Sequence, residues 1–333
     1  MHICRYLMEK LDLKDRKILY HLDIDSRQSF ASIGKKVGLH KDSVADRVKK
    51  LIEKGIIKGF FTVIDYSKIG LNAYRFYFSF LNITPKLKKE IIDYFINIEY
   101  VGSVKSLDGN YDLLVIIYVN NYPQALAFWQ NTLKQYGKYF SKKVFSALFQ
   151  VEDYTNNFLL GENDSKLKRC YKWFNSGNIV KIDDIDNQII RLISQNSRIP
   201  LIEIAKSINK TSRIVQNRLK KLIESDIIIA YRLHINFQKI GYFAFKVDIE
   251  LNQFDKIDDI LKYFKLNPNF IYFCKTIGYV DLEISFYLNN SYQLNQIMEE
   301  ISKKFPDAIK NYTYFSTLKV YKDYMSFFDL KVK

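Results

Sequence analysis

Residues 47–59 read RVKKLIEKGIIKG, and residues 218–230 read RLKKLIESDIIIA. The two stretches lie 171 positions apart. The same shift lays residues 11–70 over 182–241 without a gap, with 20 of the 60 positions identical. Identities include Asp12/Asp183, Asp15/Asp186, Ser26/Ser197, Arg27/Arg198, Val44/Val215, Arg47/Arg218 and the run Lys49–Glu53 over Lys220–Glu224. After a two-residue deletion the match resumes, Gly109 and Asp112 falling over Gly278 and Asp281. Self-similarity at one fixed offset marks a duplicated unit, so the fold is read once and applied twice.

Outward from that stretch, each copy shows three short helical patterns. Asp12 and Asp183 stand as N-caps, each with a second aspartate three residues later where negative charge suits the helix dipole. Ile18, Leu19 and Leu22 recur at helical spacing, and a second helix spans about Phe30 to Val37, or Leu201 to Ile208. Gly38 and Asn209, both tolerant of left-handed geometry, break the chain before a third helix. That third helix buries Val44, Val48, Leu51 and Ile52, or Val215, Leu219, Leu222 and Ile223. The β-rich segments Ile56–Ile64 and Ile227–Ile235 are expected to form a small wing, which completes a winged helix-turn-helix.

The remainder of copy one reads as strand 73–81, helix 87–98, strands 101–107 and 112–119, helix 123–136 and strand 142–151, with a hairpin turn at Asp108-Gly109-Asn110. This is the ferredoxin-like βαββαβ order, and copy two repeats it from Ala244 to Tyr321. The expected fold class is therefore α+β: two copies of a winged helix-turn-helix followed by a ferredoxin-like βαββαβ domain. The expected boundaries are 1–64 and 65–155 for copy one, 182–236 and 237–324 for copy two, a polar linker at 156–181 and a tail at 325–333. Tyr74, Phe76, Phe78, Phe80 and Tyr111 read as sheet core and interface.

Composition narrows the function. The 333 residues are 48% hydrophobic and 26% charged, enough to bury a core, and the net charge of +15 favours a polyanionic partner. The longest apolar run, Leu113 to Val119, is far short of the ~18 residues of a spanning helix. Charges within the first ten residues argue against an export signal. Cys4, Cys170 and Cys274 are too few and too scattered for a disulfide framework. His2, His21, His40 and His234 have no ligand spacing, so neither a metal nor a cofactor is expected. The expected setting is a reducing cytoplasm.

Taken together, Leu11-Asp12-x-x-Asp15, Ser26-Arg27, Ile33-Gly34-Lys35, Arg47-Val48-Lys49-Lys50-Leu51, Gly55-Ile56-Ile57 and Lys68-Ile69-Gly70, with their counterparts in copy two, resemble the leucine-responsive/AsnC (Lrp/AsnC) transcription regulators. The resemblance implies a DNA-binding winged helix-turn-helix. It also implies a βαββαβ effector domain that dimerises and often binds an amino acid. There are three departures. His40 and Thr211 stand where the family usually begins its recognition helix with Ser; the family glycine kept as Gly55 is Asp226 in copy two; and one copy per chain is the family norm.

The expected DNA-facing residues are Lys41, Ser43, Arg47, Lys49 and Lys50 in copy one, and Ser212, Arg213, Gln216, Asn217, Arg218, Lys220 and Lys221 in copy two. Arg, Asn and Gln can pair with base edges, while the lysine pairs suit phosphates. Asp42 and Asp46 oppose phosphate in copy one, where copy two carries Arg213 and Asn217, so copy two is the stronger expected reader. Gly109, Asp112, Gly278 and Asp281 match the family's G-x-x-D signature and are the expected effector contacts. Two tethered copies can pair within one chain, between chains, or both. The reading is a sequence-specific regulator of double-stranded DNA and not an enzyme. The alternatives are an architectural DNA coat and a sirohaem decarboxylase-like enzyme with two AsnC-like halves. The strands that would carry that enzyme's His and Arg, 101–107 and 270–276, contain neither.

Overall fold

The computed structural model describes residues 9–161, 169–173 and 178–323. Copy one runs α1 (Leu13–Ile24), α2 (Phe30–Val37), α3 (Lys41–Glu53), β1 (Ile57–Ile64), β2 (Asn72–Phe80), α4 (Pro85–Asn97), β3 (Val101–Gly109), β4 (Leu113–Val119), α5 (Tyr122–Tyr136) and β5 (Phe140–Tyr154). After β6 (Cys170–Trp173), copy two runs α6 (Asp184–Gln195), α7 (Leu201–Ser207), α8 (Ser212–Glu224), β7 (Ile228–Ile235), β8 (Phe243–Leu251), α9 (Ile257–Leu266), β9 (Phe270–Ile277), β10 (Leu282–Leu288), α10 (Ser291–Lys304) and β11 (Ile309–Lys322). Helix starts follow capping chemistry. The side chains of Asp12, Ser29, Thr84, Asn121, Asp183, Thr211 and Asn290 each accept a hydrogen bond from a first-turn backbone amide. Among the described residues no helix is long and apolar enough to cross a membrane.

The wing expectation needs correction. Neither copy folds its 56–64 or 227–235 segment into a hairpin of its own. Instead β1 pairs antiparallel with β7, Phe60 opposite Leu233 and Thr62 opposite Tyr231, as a two-stranded ribbon shared between the copies. Each three-helix unit then packs over the other copy's strand. Ile18, Leu19, Val44 and Leu51 of copy one share a core with Leu233, Ile235 and Phe237 of copy two. Ile189, Ile190, Val215 and Leu222 share one with Ile64, Tyr66, Ile69 and Leu71. The stretch 156–181 is more than a polar tether. Phe158, Leu159 and Leu160 are buried in the first of these cores, and β6 adds to the end of β5. Their apolar side chains give that segment a docking site.

The two βαββαβ sheets close into one barrel. Within copies the strand orders are β5-β2-β4-β3 and β11-β8-β10-β9. Strands β5 and β11 are long enough to leave their own sheet. Residues 140–147 of β5 pair with β2 and residues 147–153 with β9. Residues 309–316 of β11 pair with β8 and residues 315–322 with β3. The resulting ring of strands has no free edge between the copies. Alternation sorts the side chains: Phe76 and Phe78 of β2 face α4 and α5 with Phe95 and Phe128, while Arg75 and Tyr77 face the barrel interior. The fold thus forms an intrachain pseudo-dimer.

Candidate DNA-binding face

Each helix-turn-helix is positioned by a small apolar core and one tight turn. Ile18, Leu22, Ile33 and Val44 are fully buried in copy one, as are Ile189, Ile193, Ile204 and Val215 in copy two. The turn before the third helix uses left-handed backbone, φ +67° at Gly38 and +52° at Asn209. After that helix Gly55 takes φ +64°, and Asp226 accepts the same geometry at +56°, so the glycine departure leaves the turn intact. Thr211 caps α8 by accepting from the Ile214 amide at 3.3 Å. His40 makes no side-chain cap and lies 3.2 Å from Asp42 instead.

The outward faces of α3 and α8 are exposed as expected at Lys41, Ser43, Lys49, Lys50, Ser212, Arg213, Gln216, Asn217, Lys220 and Lys221, and at Asp42 and Asp46. Arg47 and Arg218 are placed differently. Arg47 Nη1 donates to Asp12 Oδ2 and Asp15 Oδ1, both at 2.7 Å. Arg218 Nη1 donates to Asp183 Oδ2 at 2.7 Å and Asp186 Oδ2 at 3.1 Å. The amide of Asp15 and then Arg47 lower the Asp12 pKa, and the amide of Asp186 and then Arg218 lower that of Asp183. In both copies the Asp-x-x-Asp motif therefore anchors the recognition helix to the first helix through arginine. Base reading by Arg47 or Arg218 has to displace those partners. Residues 11–70 carry 13 basic and 8 acidic side chains, and residues 182–241 carry 10 and 6, so both units are net positive.

The repeated Ser-Arg pair holds the two units together. Ser26 Oγ and Ser197 Oγ are 2.6 Å apart and buried. Arg27 Nη1 donates to Ser197 O at 2.6 Å, and reciprocally Arg198 Nη1 donates to Ser26 O and, at 3.0 Å, to Gln28 O. Arg198 also stacks over Phe30 and Arg27 over Tyr231, with 4.7 Å and 5.3 Å to the ring centroids. Beneath this contact Arg232 of β7 grips Asp23 of α1 through Nε and Nη2 and Asp153 of β5 through Nη1. These contacts fix the separation of α3 and α8. No sequence signal announced them, because the partners lie far apart in the chain, from 79 residues for Arg232 and Asp153 to 209 for Arg232 and Asp23.

The G-x-x-D turns have a structural occupation. Asp112 Oδ2 accepts from the Phe80 amide at 2.7 Å and Asp281 Oδ2 from the Leu251 amide at 2.8 Å, the same strand end in each copy. Gly109 adopts φ +129°, and a Cβ there would sit 2.7 Å from Tyr314 O; Gly278 has φ +88°. Residues that sequence reasoning missed lie inside the barrel. Arg75 and Lys246 occupy equivalent positions of the two copies and share the buried Glu283. A charge in the middle of an apolar strand was the available signal.

The AsnC-type helix-turn-helix domain family matches residues 11–52 and again 182–223. An HTH-type transcriptional regulator of Mycobacterium tuberculosis is 36% identical over 110 residues, covering 32% of this chain and 72% of that protein. The HTH-type transcriptional regulator Ptr1 of Methanocaldococcus jannaschii is 28% identical over 40% of this chain and 82% of its own length. The crystal structure of the siroheme decarboxylase NirDL shares the tandem fold, with TM-score 0.64 over 96% of this chain and 95% of that one; at 12% identity the likeness is one of fold alone. The chain belongs to the Lrp/AsnC family of helix-turn-helix transcriptional regulators, with the family unit present twice in one polypeptide.

Proposed function

We propose that this chain is a transcription regulator that binds double-stranded DNA as a single-polypeptide pair of readers, placing α3 and α8 in major grooves of two half-sites. The observation that carries this reading is the reciprocal Ser26-Arg27/Ser197-Arg198 clasp, which holds two basic helix-turn-helix units in fixed relation while their recognition faces stay exposed. Half-site spacing follows from that separation. The lysine pairs Lys49-Lys50 and Lys220-Lys221 supply phosphate contacts, and Arg213, Gln216 and Asn217 supply base contacts from copy two. Because copy one offers Asp42 and Asp46 instead, the preferred site is an imperfect palindrome.

The decarboxylase alternative draws no support from the barrel interior. The cavity there is about 240 Å³, below the ~300–1,000 Å³ of drug-sized sites and too small for a tetrapyrrole, and among the described residues its lining includes no histidine. The test is an anisotropy titration with genomic fragments, including the chain's own upstream region, at two salt concentrations. Selective, salt-sensitive retention is expected. Uniform affinity for every duplex would point to an architectural coat, and absence of DNA binding would overturn the proposal.

A further inference from the structure

The two copies differ at one matched place, where the ribbon meets the barrel. In copy one β6 pairs with the end of β5, Trp173 opposite Val151, and Trp173 packs against the ribbon cluster that includes Val63 and Ala230. The ribbon register makes His234 and Gly59 the counterparts of Val63 and Ala230. Val320 is the counterpart of Val151, since they stand opposite the matched residues Lys105 and Cys274. Val151 is 1% exposed and Val320 41%. On the β8 side, residues 317–322 of β11 have no strand partner among the described residues, and an open edge is a template for pairing. Copy two therefore lacks the cover that β6 gives copy one. In its place lies a groove of about 400 Å³, lined by Lys58, His234, Phe237, Tyr242, Leu318 and Val320 among others.

Charge sets what the groove accepts. Lys58 and Lys319 both line it, both are exposed, and neither is paired with a carboxylate among the described residues. Asp323, at the end of the strand, is held by Lys105 at 3.8 Å. In copy one the cation of β6, Lys172, is answered by Glu152 of β5 at 2.8 Å. At that point β11 carries Tyr321 and Lys322, so the preferred sign of an added strand reverses. We propose that this groove docks an extended peptide segment of a partner protein, an aromatic side chain lying against Val320 and His234 and acidic residues beside it meeting Lys58 and Lys319. This is strand addition, with backbone pairing for affinity and a side-chain seat for specificity. β11 has a register shift between Val320 and Lys322, so the aromatic seat carries more of the binding than a long ladder does.

The test is an anisotropy titration of the full chain with a fluorescein-labelled peptide, acetyl-Asp-Tyr-Glu-Trp-Glu-Asp-amide. The expected result is saturable binding at one per chain with a Kd of about 100 µM or tighter. Exchanging the peptide's Trp for Ala, or its acids for Lys, is expected to weaken binding about tenfold or more. Lys58→Ala with Lys319→Ala changes only exposed side chains and is expected to cost about tenfold, with circular dichroism as in the parent. Val320→Asp puts a like charge into the seat and is expected to abolish binding. No saturation at about 1 mM would overturn the proposal. So would binding that is indifferent to the Lys58 and Lys319 exchanges, since the peptide would then sit on another basic face. N-acetyltryptophanamide binding as tightly as the peptide would make the groove a small-molecule site instead. Self-association of the chain that Val320→Asp abolishes would give the seat to a second copy, and peptide binding seen only after removal of residues 1–8 would give it to the chain itself. Either outcome overturns the proposal. No DNA enters the assay, so its failure leaves the DNA reading standing, and the converse also holds.

Discussion

Asp42 and Arg213 stand at equivalent positions of the two recognition helices, both exposed, and that exchange of charge is the clearest asymmetry between the copies. Asp46 opposite Asn217 extends it by one turn. Arg213→Ala is therefore expected to weaken specific DNA binding about tenfold or more, while Asp46→Ala leaves it unchanged or strengthens it; paired anisotropy titrations check the order. Equal losses from both would reverse the ranking of the copies. A second residue-scale prediction concerns Asp248, whose carboxyl is pushed up to about 7, first by burial and then by Glu283. The folded state binds that proton more tightly than the unfolded state, whose value is near 3.8. Its stabilising contribution is whole below that lower value and is lost as pH rises through 7. Asp248→Asn carries no charge at any pH, so its stability relative to the parent should rise steadily from about pH 4 to about pH 8 in urea unfolding. A flat difference would contradict the assignment.

At the scale of elements, β1 and β7 show where the sequence ran out. The apolar runs 56–64 and 227–235 were legible as strands because half-buried alternation is a local signal. Their partners were not, since alternation reports that a face is buried and never against which strand. The same limit hid the role of Ser26-Arg27: its repeat was plain, but its contacts lie across the pseudo-twofold. By contrast, the βαββαβ elements of copy one were recovered in order and to within three residues at each end, because hairpin turns and caps are encoded within a few positions. Arg47 and Arg218 fell between these cases, exposed by helical phase yet anchored by aspartates on a neighbouring helix. The ribbon's seat on the barrel rests on Arg232, 5% exposed and paired with Asp23 and Asp153. Arg232→Met strands the buried carboxylate of Asp23 and the half-buried one of Asp153, and is expected to cost about 3–5 kcal/mol in chemical unfolding. A loss below about 1 kcal/mol would mean that the triad is not what joins these elements.

For the whole molecule, swapping decides cooperativity. Both helix-turn-helix cores mix residues from the two copies, and the barrel closes only when β3 meets β11 and β5 meets β9. Calorimetry of the intact chain is therefore expected to show one unfolding transition, with no separate melting of the copies. Two resolved transitions would mean that each half is stable alone. Closure also makes one chain a complete pair of readers, and tethering raises the effective concentration of the second reader once the first has bound. The most direct test of that claim is anisotropy titration of the chain on a selected duplex containing both half-sites, set against duplexes keeping only one. The two-reader account predicts affinity about tenfold or more higher for the intact site, with a steeper salt dependence. Equal affinity for the intact and single half-site duplexes would contradict it.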